Sequence, residues 1–229
     1  MKPYQQVPIR DRGEPLVPIP LDAFAIVQPH PYEQLGAPYQ GRSPYYLRQT
    51  VCDRLLQAQQ ALQAQRSGWK IQIFDAYRPV AVQQFMVEQT YQQLLTAQGL
   101  SPSTVSRTQQ AAILNQVYEF WAVPSSDPAT PPPHSTGAAI DITLTDNQGQ
   151  AINMGSPIDE PSVRSYPHHF ADKAAAQAQQ YHQNRQLLAA LLTAVGFKQH
   201  PQEWWHFSYG DQMWAWQSRS PFAYYGKAT

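Results

Sequence analysis

Apolar residues recur every three or four positions in four stretches of the chain, a spacing that places them on one face of a helix. In the first of these stretches, Leu47, Val51 and Leu55 mark the repeat. Pro79 is typical of the first turn of a helix, and Gly99 is typical of the residue that ends one. The pattern therefore predicts four helices, at residues 46–65, 79–99, 108–121 and 174–195.

Between these helices, other stretches alternate polar and apolar residues as half-buried strands do. The clearest is KIQIFDAY at 70–77, and a second strand is expected in AAIDITL at 138–144. Shorter apolar runs predict further strands at 24–27, 197–200, 203–209 and 212–216. Because strands and helices are interleaved without a regular alternation, we expect an α+β fold with a small antiparallel sheet flanked by helices.

Prolines, of which the chain has 21, divide it into segments. Residues 1–45 are rich in Pro, Tyr and Gly, and we expect them to form an extended N-terminal arm packed on the body. Residues 46–229 are expected to form a single domain. The proline-rich stretch at 123–133 cannot be regular structure. Since it leads directly into a predicted strand, it is interpreted as a loop within that domain rather than a linker.

Composition and charge limit the kinds of molecule that this protein is expected to bind. Sixteen basic and sixteen acidic residues give a formal net charge of zero, so attraction to nucleic acid or to an anionic membrane is not expected. The stretch 1–20 has no apolar core of signal-peptide length, and no stretch is long enough to span a membrane. The single cysteine, Cys52, falls on an apolar helix face and is interpreted as a buried core thiol. We expect a cytoplasmic protein without an obligate protein partner.

Candidate chemistry begins at His134. Gly137 permits a turn after this histidine, and the predicted strand that follows carries Asp141 back beside it. On that strand Asp141 lies among otherwise apolar positions, where an unpaired carboxylate is unfavourable. Asp141 therefore needs a cation or several hydrogen-bond donors.

A second candidate pair, Glu203 and His206, lies in the sequence EWWHF near the end of the chain. Residues three apart on a strand face opposite sides, so both can point one way only if the chain bulges or turns. Zinc held by two imidazoles and one carboxylate, with water as the fourth ligand, is a recurrent catalytic arrangement. His134, Asp141 and His206 would supply such a set. Glu203 would remain off the metal as the base that accepts a proton from water.

Spacing alone leaves other interpretations open. A histidine and an aspartate seven residues apart are common by chance, and a single E-x-x-H lacks the second histidine of helical zinc proteases. Arg78, where a predicted strand meets a helix, could form a salt bridge with Asp75 or stabilise negative charge developing on a carbonyl oxygen. The other five histidines have no comparable pairing and are interpreted as surface or loop residues: His30, His168, His169, His182 and His200.

Taken together, these motifs resemble the VanX-type D-alanyl-D-alanine dipeptidases, zinc peptidases of the wider D,D-carboxypeptidase group. The resemblance runs from about residue 24 to 216 and rests on motifs in the family's order and spacing. The most specific are D-A-Y-R-P at 75–79, H-x-x-G-x-A-x-D at 134–141 and E-W-W-H at 203–206. The resemblance implies the small α+β fold that this group shares with the hedgehog signalling domain.

The resemblance also implies roles for individual residues. It implies that Glu203 is the catalytic base, and that Arg78 stabilises the tetrahedral intermediate. Asp159 matches a carboxylate that faces the free ammonium of the substrate, which favours a dipeptide over an acylated chain. The implied reaction is hydrolysis of D-Ala-D-Ala to two D-alanines by metal-activated water. One zinc ion per chain would be bound by three ligands: His134, Asp141 and His206.

The chain departs from the family pattern in two places. Pro132 stands where relatives often have a serine that helps to hold the substrate, so we expect altered affinity or specificity. The N-terminal arm matches poorly, and the family therefore predicts little about one wall of the pocket.

Two other functions remain open from the sequence. One is a D,D- or L,D-carboxypeptidase that acts on longer peptidoglycan peptides, and the other is a non-catalytic, zinc-stabilised binding module. The retained Asp159 counts against the carboxypeptidase. Glu203 and Arg78 count against the binding module, since a structural zinc site needs neither.

Overall fold

The computed structural model describes residues 2–228, in which seven strands and six α-helices are present. The strands are β1 (Leu16–Pro18), β2 (Ala25–Ile26), β3 (Tyr46–Arg48), β4 (Lys70–Asp75), β5 (Ala139–Thr145), β6 (Lys198–Gln199) and β7 (His206–Ser208). The helices are α1 (Pro31–Gln34), α2 (Gln49–Gln65), α3 (Val80–Ala97), α4 (Arg107–Phe120), α5 (Ala176–Ala194) and α6 (Gln212–Gln217). Short 3-10 turns lie at Pro3–Gln6, Pro133–Thr136 and Val163–Ser165.

Five strands form one sheet in the order β2-β4-β5-β7-β6. Neighbouring strands run antiparallel except at one edge, where β2 and β4 are parallel. The strands β1 and β3 form a separate two-stranded antiparallel sheet. The predicted α+β fold is confirmed. The large sheet is antiparallel, as expected from the sequence, except for the parallel pair of β2 and β4.

One face of the large sheet carries the hydrophobic core. Ile71 and Ile73 of β4 lie opposite Leu144 and Ile142 of β5, and all four side chains are completely buried. Helices α2 and α5 contribute leucines to the same cluster: Leu55, Leu62, Leu188 and Leu192. Cys52 of α2 also lies in this core, 3% exposed, which confirms the prediction of a buried thiol.

A bulge at the end of β4 brings an acidic residue to the other side of the sheet. Strict alternation would place Asp75 on the core face with Ile73. Instead the pairing with β5 shifts after Ile73, so that Asp75 lies opposite Asp141. Bulges commonly re-aim a side chain in this way next to a functional site. The carboxylate of Asp75 therefore joins the polar face rather than the core.

Some predicted elements differ from those in the structure. The predicted helix at 46–65 begins only at Gln49, because Tyr46–Arg48 pairs with β1 as a strand. The predicted strand at 203–209 is reduced to β7. The predicted strand at 212–216 is wrong, since this segment is helix α6, capped by the Asp211 side chain, which accepts a hydrogen bond from the backbone N–H of Trp214 at 2.7 Å. Five apolar-rich residues are too few to distinguish the two periodicities.

The N-terminal residues pack against the C-terminal segment. The backbone N–H of Arg10 donates to the carbonyl of Ala223, and that of Arg12 to the carbonyl of Tyr224, both at 2.9 Å. The division of the chain into an arm and one domain at residue 45 stays a prediction. Within residues 2–228, no helix combines the length and the apolar character needed to cross a bilayer.

Candidate active site

Two histidines and an aspartate meet on the polar face of the sheet. Nδ1 of His206 lies 3.0 Å from Oδ1 of Asp141, and Nε2 of His134 lies 3.2 Å from Oδ2 of the same carboxylate. The two imidazoles are also 3.2 Å apart, between Nε2 of His134 and Nδ1 of His206. Asp141 and His206 are paired residues on β5 and β7, so the sheet itself fixes their separation. All three side chains are buried.

His134 reaches the cluster from the 3-10 turn that precedes β5. The turn ends at Gly137, whose φ of 70° is left-handed. This conformation favours glycine, and a Cβ atom at Gly137 would in addition require the side chain of Leu16 to move. Nδ1 of His134 lies 2.7 Å from the carbonyl oxygen of Ala76 and donates to it. This bond fixes the tautomer and leaves the Nε2 lone pair directed at the cluster.

The separations among these atoms fit a metal ion. Zinc binds imidazole nitrogen and carboxylate oxygen at about 2.0–2.2 Å, so neighbouring ligands of a tetrahedral ion lie about 3.4 Å apart. The three distances here, from 3.0 to 3.2 Å, are close to that value. Burial alone would raise the pKa of Asp141, but His134 and His206 bring it well below its usual range, so the carboxylate is ionised. The three residues can therefore hold one metal ion.

Glu203 stands beside this cluster without joining it. Its Oε2 atom is 3.9 Å from Nδ1 of His206, and its Oε1 atom is 3.8 Å from Nδ1 of His200, both too long for hydrogen bonds. Burial raises the pKa of Glu203 to about 8, with His206 opposing the rise and Asp141 adding to it. Glu203 precedes β7 in a stretch of bends, so it and His206 line the same pocket. Glu203 thus lies outside the strand, which is the condition that the sequence set for Glu203 and His206 to point the same way.

Arg78 connects the cluster to a second buried carboxylate. Its Nη2 atom lies 2.8 Å from Oδ2 of Asp75 and 3.2 Å from Oδ2 of Asp141. Its Nη1 atom donates to Oε1 of Gln83 at 2.9 Å, and Gln83 is itself held by the carbonyl of Ala122. The salt bridge with Asp75 is thus present. The same guanidinium also reaches a candidate metal ligand, while its catalytic role stays a prediction.

Asp159 lines the same pocket from the loop that follows β5. Its φ of 63° is left-handed, a conformation that aspartate tolerates better than most residues. The hydroxyl of Tyr32 donates to Oδ2 of Asp159 at 2.7 Å, and Nη2 of Arg78 donates to the Tyr32 oxygen at 3.2 Å. Burial, together with the negative charge of Asp141, raises the pKa of Asp159 to about 6.

The pocket has an empty volume of about 490 Å³ including its mouth. Trp205 forms part of its wall, whereas Trp204 turns away and donates from Nε1 to Oγ of Ser156 at 3.0 Å. Of the two tryptophans of EWWHF, Trp205 therefore lines the pocket and Trp204 packs behind it. Further lining residues come from the N-terminal turn, the end of α4 and helix α6: Lys2, Tyr4, Phe120, Trp121 and Met213.

The carbonyl of Pro132, the residue that departs from the family pattern, is engaged within the turn. It accepts hydrogen bonds from the backbone N–H of Ser135 at 3.0 Å and from its Oγ at 2.7 Å. The effect of Pro132 on specificity stays a prediction.

Two of the histidines interpreted as surface or loop residues lie in loops, as expected, but they are buried and have partners that the sequence did not indicate. His30 is 3% exposed, and its Nε2 atom lies 3.2 Å from Oδ1 of Asp75. His200 is 8% exposed and lines the pocket, where burial, His206 and Lys2 lower its pKa well below the usual value. Both precede a proline and resemble loop residues in the sequence, which carries no sign of their distant partners. His168, His169 and His182 are at least partly exposed.

Sequence reasoning also missed three residues that order the site. Asp75 was considered only as a salt-bridge partner, although it contacts His30, Arg78 and the His134 ring. Its position within D-A-Y-R-P was an available signal. Tyr32 lies where the chain matches the family poorly, and the amide of Gln83 has no distinguishing sequence context.

A buried cluster of two histidines and one carboxylate, beside a glutamate whose side chain makes no hydrogen bond within residues 2–228, defines the site of a metallohydrolase. The sequence pattern of the family described as D-ala-D-ala dipeptidase matches residues 26–224. The chain belongs to this family. The predicted resemblance and the prediction of an enzyme are therefore confirmed.

Individual relatives support the same assignment. A D-alanyl-D-alanine dipeptidase of Synechocystis sp. is 49% identical over 239 residues, covering 99% of this chain and 97% of the relative. A D-alanyl-D-alanine dipeptidase of Escherichia coli is 33% identical over 63% of this chain and 57% of its own length. One from Enterococcus faecium is 30% identical over 71% of this chain and 72% of its own.

A distant likeness to a solved structure was also found. It is the crystal structure of a mutant of the vancomycin resistance D,D-pentapeptidase VanY in complex with Zn(II). The TM-score is 0.45 at 15% sequence identity, over 90% of this chain and 88% of that one.

Proposed function

We propose that this protein hydrolyses D-alanyl-D-alanine to two molecules of D-alanine at a zinc ion held by His134, Asp141 and His206. The observation that carries the proposal is a buried Glu203 that lines one pocket with this three-residue cluster and makes no side-chain hydrogen bond to the described part of the chain. Membership of the D-ala-D-ala dipeptidase family supports the same reaction. When bound, zinc supplies Lewis acidity, which lowers the pKa of a water molecule and polarises the scissile carbonyl.

Glu203 transfers the proton. It accepts a proton from the attacking water and delivers it to the leaving nitrogen, so that water is added across the peptide bond. A group that performs both steps works best when its pKa lies near the working pH, and burial raises the pKa of Glu203 to about 8. Because its nearest basic atoms are 3.8 and 3.9 Å away, no strong hydrogen bond ties up the carboxyl group.

Arg78 stabilises the negative charge that develops on the carbonyl oxygen. Fixed donors are effective in this role because they need no reorganisation during the reaction. Asp75 and Gln83 hold the guanidinium from two sides, at 2.8 and 2.9 Å. Its Nη2 atom lies 3.2 Å from Oδ2 of Asp141, which puts positive charge within reach of the reacting group.

Asp159 binds the free ammonium of the dipeptide. The Tyr32 hydroxyl orients this carboxylate through the 2.7 Å hydrogen bond. An acylated amino terminus carries no positive charge and leaves Asp159 buried without a cation, which disfavours blocked or longer peptides. This contrast supports a dipeptidase over a carboxypeptidase.

The cytoplasmic location is part of the proposal, as is the absence of nucleic-acid, membrane and obligate protein partners. The formal net charge of zero supports the exclusion of nucleic acid and anionic membranes. Cell fractionation and gel filtration test these points.

The experiment that tests the proposal measures D-alanine release from D-Ala-D-Ala and from N-acetyl-D-Ala-D-Ala by the zinc-loaded protein. We expect cleavage of the free dipeptide and little or no cleavage of the blocked one. Preferential cleavage of the blocked substrate would indicate a carboxypeptidase instead. Stoichiometric zinc without cleavage of either would indicate a binding module.

A further inference from the structure

The N-terminal turn forms one wall of the active-site pocket. Lys2 and Tyr4, which flank the start of the 3-10 turn Pro3–Gln6, line the pocket together with Glu203 and His200. Both residues precede the stretch that the family pattern matches, residues 26–224.

The wall is held in position by bonds to helix α6 and to the C-terminal segment. The side-chain amide of Gln212 donates to the carbonyl of Gln5 at 3.2 Å and to that of Val7 at 2.7 Å. The backbone N–H of Ala223 donates to the carbonyl of Pro8 at 2.9 Å. These bonds fix the residues that directly follow Lys2 and Tyr4, so the turn can present both side chains to the pocket at a defined place.

Lys2 differs from Arg78, the other cation of the pocket, in that its ammonium has no partner within the part of the chain that the structure describes. Apart from histidines, the lining residues include two cations, Arg78 and Lys2. Arg78 is already engaged by Asp75 and Asp141. The ammonium of Lys2 has no carboxylate within 4.0 Å and no hydrogen-bond acceptor among residues 2–228.

A free dipeptide brings two charges into this pocket. Its ammonium has a partner in Asp159, which lies on the wall with Tyr32. Its carboxylate also needs a cation or several donors when water is displaced. Lys2 lies on the wall with Glu203 and His200, and its charge lowers the pKa of both. Lys2 and Asp159, which are of opposite charge, thus line one pocket.

We propose that Lys2 binds the C-terminal carboxylate of the dipeptide and makes the pocket selective for substrates that end there with a free carboxylate. This inference rests on the proposed function, because it assigns the second end of the same substrate. Lys2 and Asp159 then fix the two ends of the dipeptide. Both residues line the same pocket as Glu203 and the three candidate metal ligands.

The test compares D-Ala-D-Ala with D-Ala-D-alaninamide, which lacks the terminal carboxylate. In Lys2→Met we expect KM for D-Ala-D-Ala to rise about 10- to 100-fold, the effect of losing one charge-assisted hydrogen bond. The amide, which cannot use that bond, should be cleaved by the variant and the wild type with kcat/KM within about twofold. Lys2→Arg keeps the charge and should keep KM within about threefold of the wild type. Lys173→Met, at an exposed position outside the pocket, is the matched control.

Several outcomes would overturn the inference. An unchanged KM in Lys2→Met would mean that the carboxylate binds elsewhere. An equal loss with the acid and the amide would mean that the substitution disturbs the wall rather than one charge, and a melting temperature below that of Lys173→Met would accompany it. If wild-type protein cleaves neither substrate, the proposed function fails. If it cleaves D-Ala-D-Ala and only the Lys2 comparison fails, the dipeptidase assignment stands without this residue.

Discussion

The hydroxyl of Tyr32 donates a 2.7 Å hydrogen bond to Oδ2 of Asp159, although 127 residues separate the two in the chain. Tyr32 belongs to the N-terminal region, and its oxygen also accepts a hydrogen bond from Nη2 of Arg78 at 3.2 Å. A residue outside the recognised motifs thus connects the candidate ammonium anchor to the candidate catalytic arginine. The region before β3 is therefore part of the active site.

Replacing Tyr32 by phenylalanine should weaken substrate binding. Tyr32→Phe keeps the ring against Trp121 but removes the hydroxyl that orients Asp159. A hydrogen bond to a charged group contributes about 1.5–3 kcal/mol, so we expect KM for D-Ala-D-Ala to rise about 10- to 100-fold. Steady-state kinetics measure this, with Tyr166→Phe, an exposed tyrosine, as the control. A change in kcat with an unaltered KM would mean that the Tyr32 hydroxyl acts through its hydrogen bond with Arg78 and not by orienting Asp159.

The binding of substrate should depend on pH through Asp159. Burial and the charge of Asp141 raise the pKa of Asp159 to about 6. Above this pH the carboxylate is ionised and attracts the ammonium, and as the pH falls through about 6 it is protonated and the attraction is lost. KM for D-Ala-D-Ala should therefore rise below about pH 6. Kinetics between pH 5 and 8, with bound metal measured at each pH, check this, and Asp159→Asn should abolish the pH dependence of KM.

The sequence was sufficient to predict the elements with a long, regular pattern. The three later helices lie within two residues of their predicted ends, since each repeats its apolar face over several turns. The candidate metal ligands were also predictable, because each lies in a local motif. Asp141 and His206 then meet because their strands are neighbours in the sheet.

What the sequence could not predict depends on contacts between distant parts of the chain. The bulge after Ile73 re-aims Asp75, and no local pattern distinguishes it from regular alternation. His30 is buried only because Asp75 and three tyrosine rings surround it. The wall that contains Lys2 depends on a side chain more than 200 residues away, Gln212. Such pairings become visible only in the folded chain.

Replacing Glu203 by glutamine should separate catalysis from metal binding. Glu203→Gln keeps the size and shape of the side chain, but removes the group that accepts and returns the proton. General acid–base catalysis contributes about 10²- to 10⁴-fold, so kcat should fall by that factor while zinc remains stoichiometric. Metal analysis and D-alanine release on one preparation measure both quantities. Normal turnover by Glu203→Gln would mean that Glu203 is not the group that transfers the proton.

Removing a metal ligand should lower metal content and stability together. His206→Ala deletes one of the three candidate ligands and leaves the buried Asp141 without its contact to Nδ1 of His206. Because a ligand that binds only the folded state stabilises it, a chelator should lower the melting temperature of the wild type, and added zinc should restore it. His206→Ala should have a low melting temperature that changes neither with the chelator nor with added zinc. Stoichiometric zinc in this variant would mean that the ligand assignment is wrong.

Arg48 holds the turn that presents His134, although it lies outside the pocket. Its Nε atom donates to the carbonyl of Thr136 at 2.8 Å, and its backbone N–H donates to the carbonyl of Gly137 at the same distance. Its Nη2 atom donates to the carbonyl of Gly226 at 3.1 Å, which ties the turn to the C-terminal segment. The side chain is 8% exposed, so water cannot readily replace these bonds.

Arg48→Met, which retains the apolar stem, should therefore weaken zinc binding as well as stability. Residues that orient a metal ligand typically affect metal affinity by about 10- to 100-fold, and we expect a loss within that range because Thr136 loses its donor two residues from His134. Competition with a chromogenic chelator measures the affinity, and thermal denaturation of the zinc-free protein measures the stability separately. Arg107→Met, at an exposed position, is the matched control. A lower melting temperature with unchanged zinc affinity would mean that Arg48 only stabilises the fold. The turn would then hold His134 in place without the Arg48 side chain.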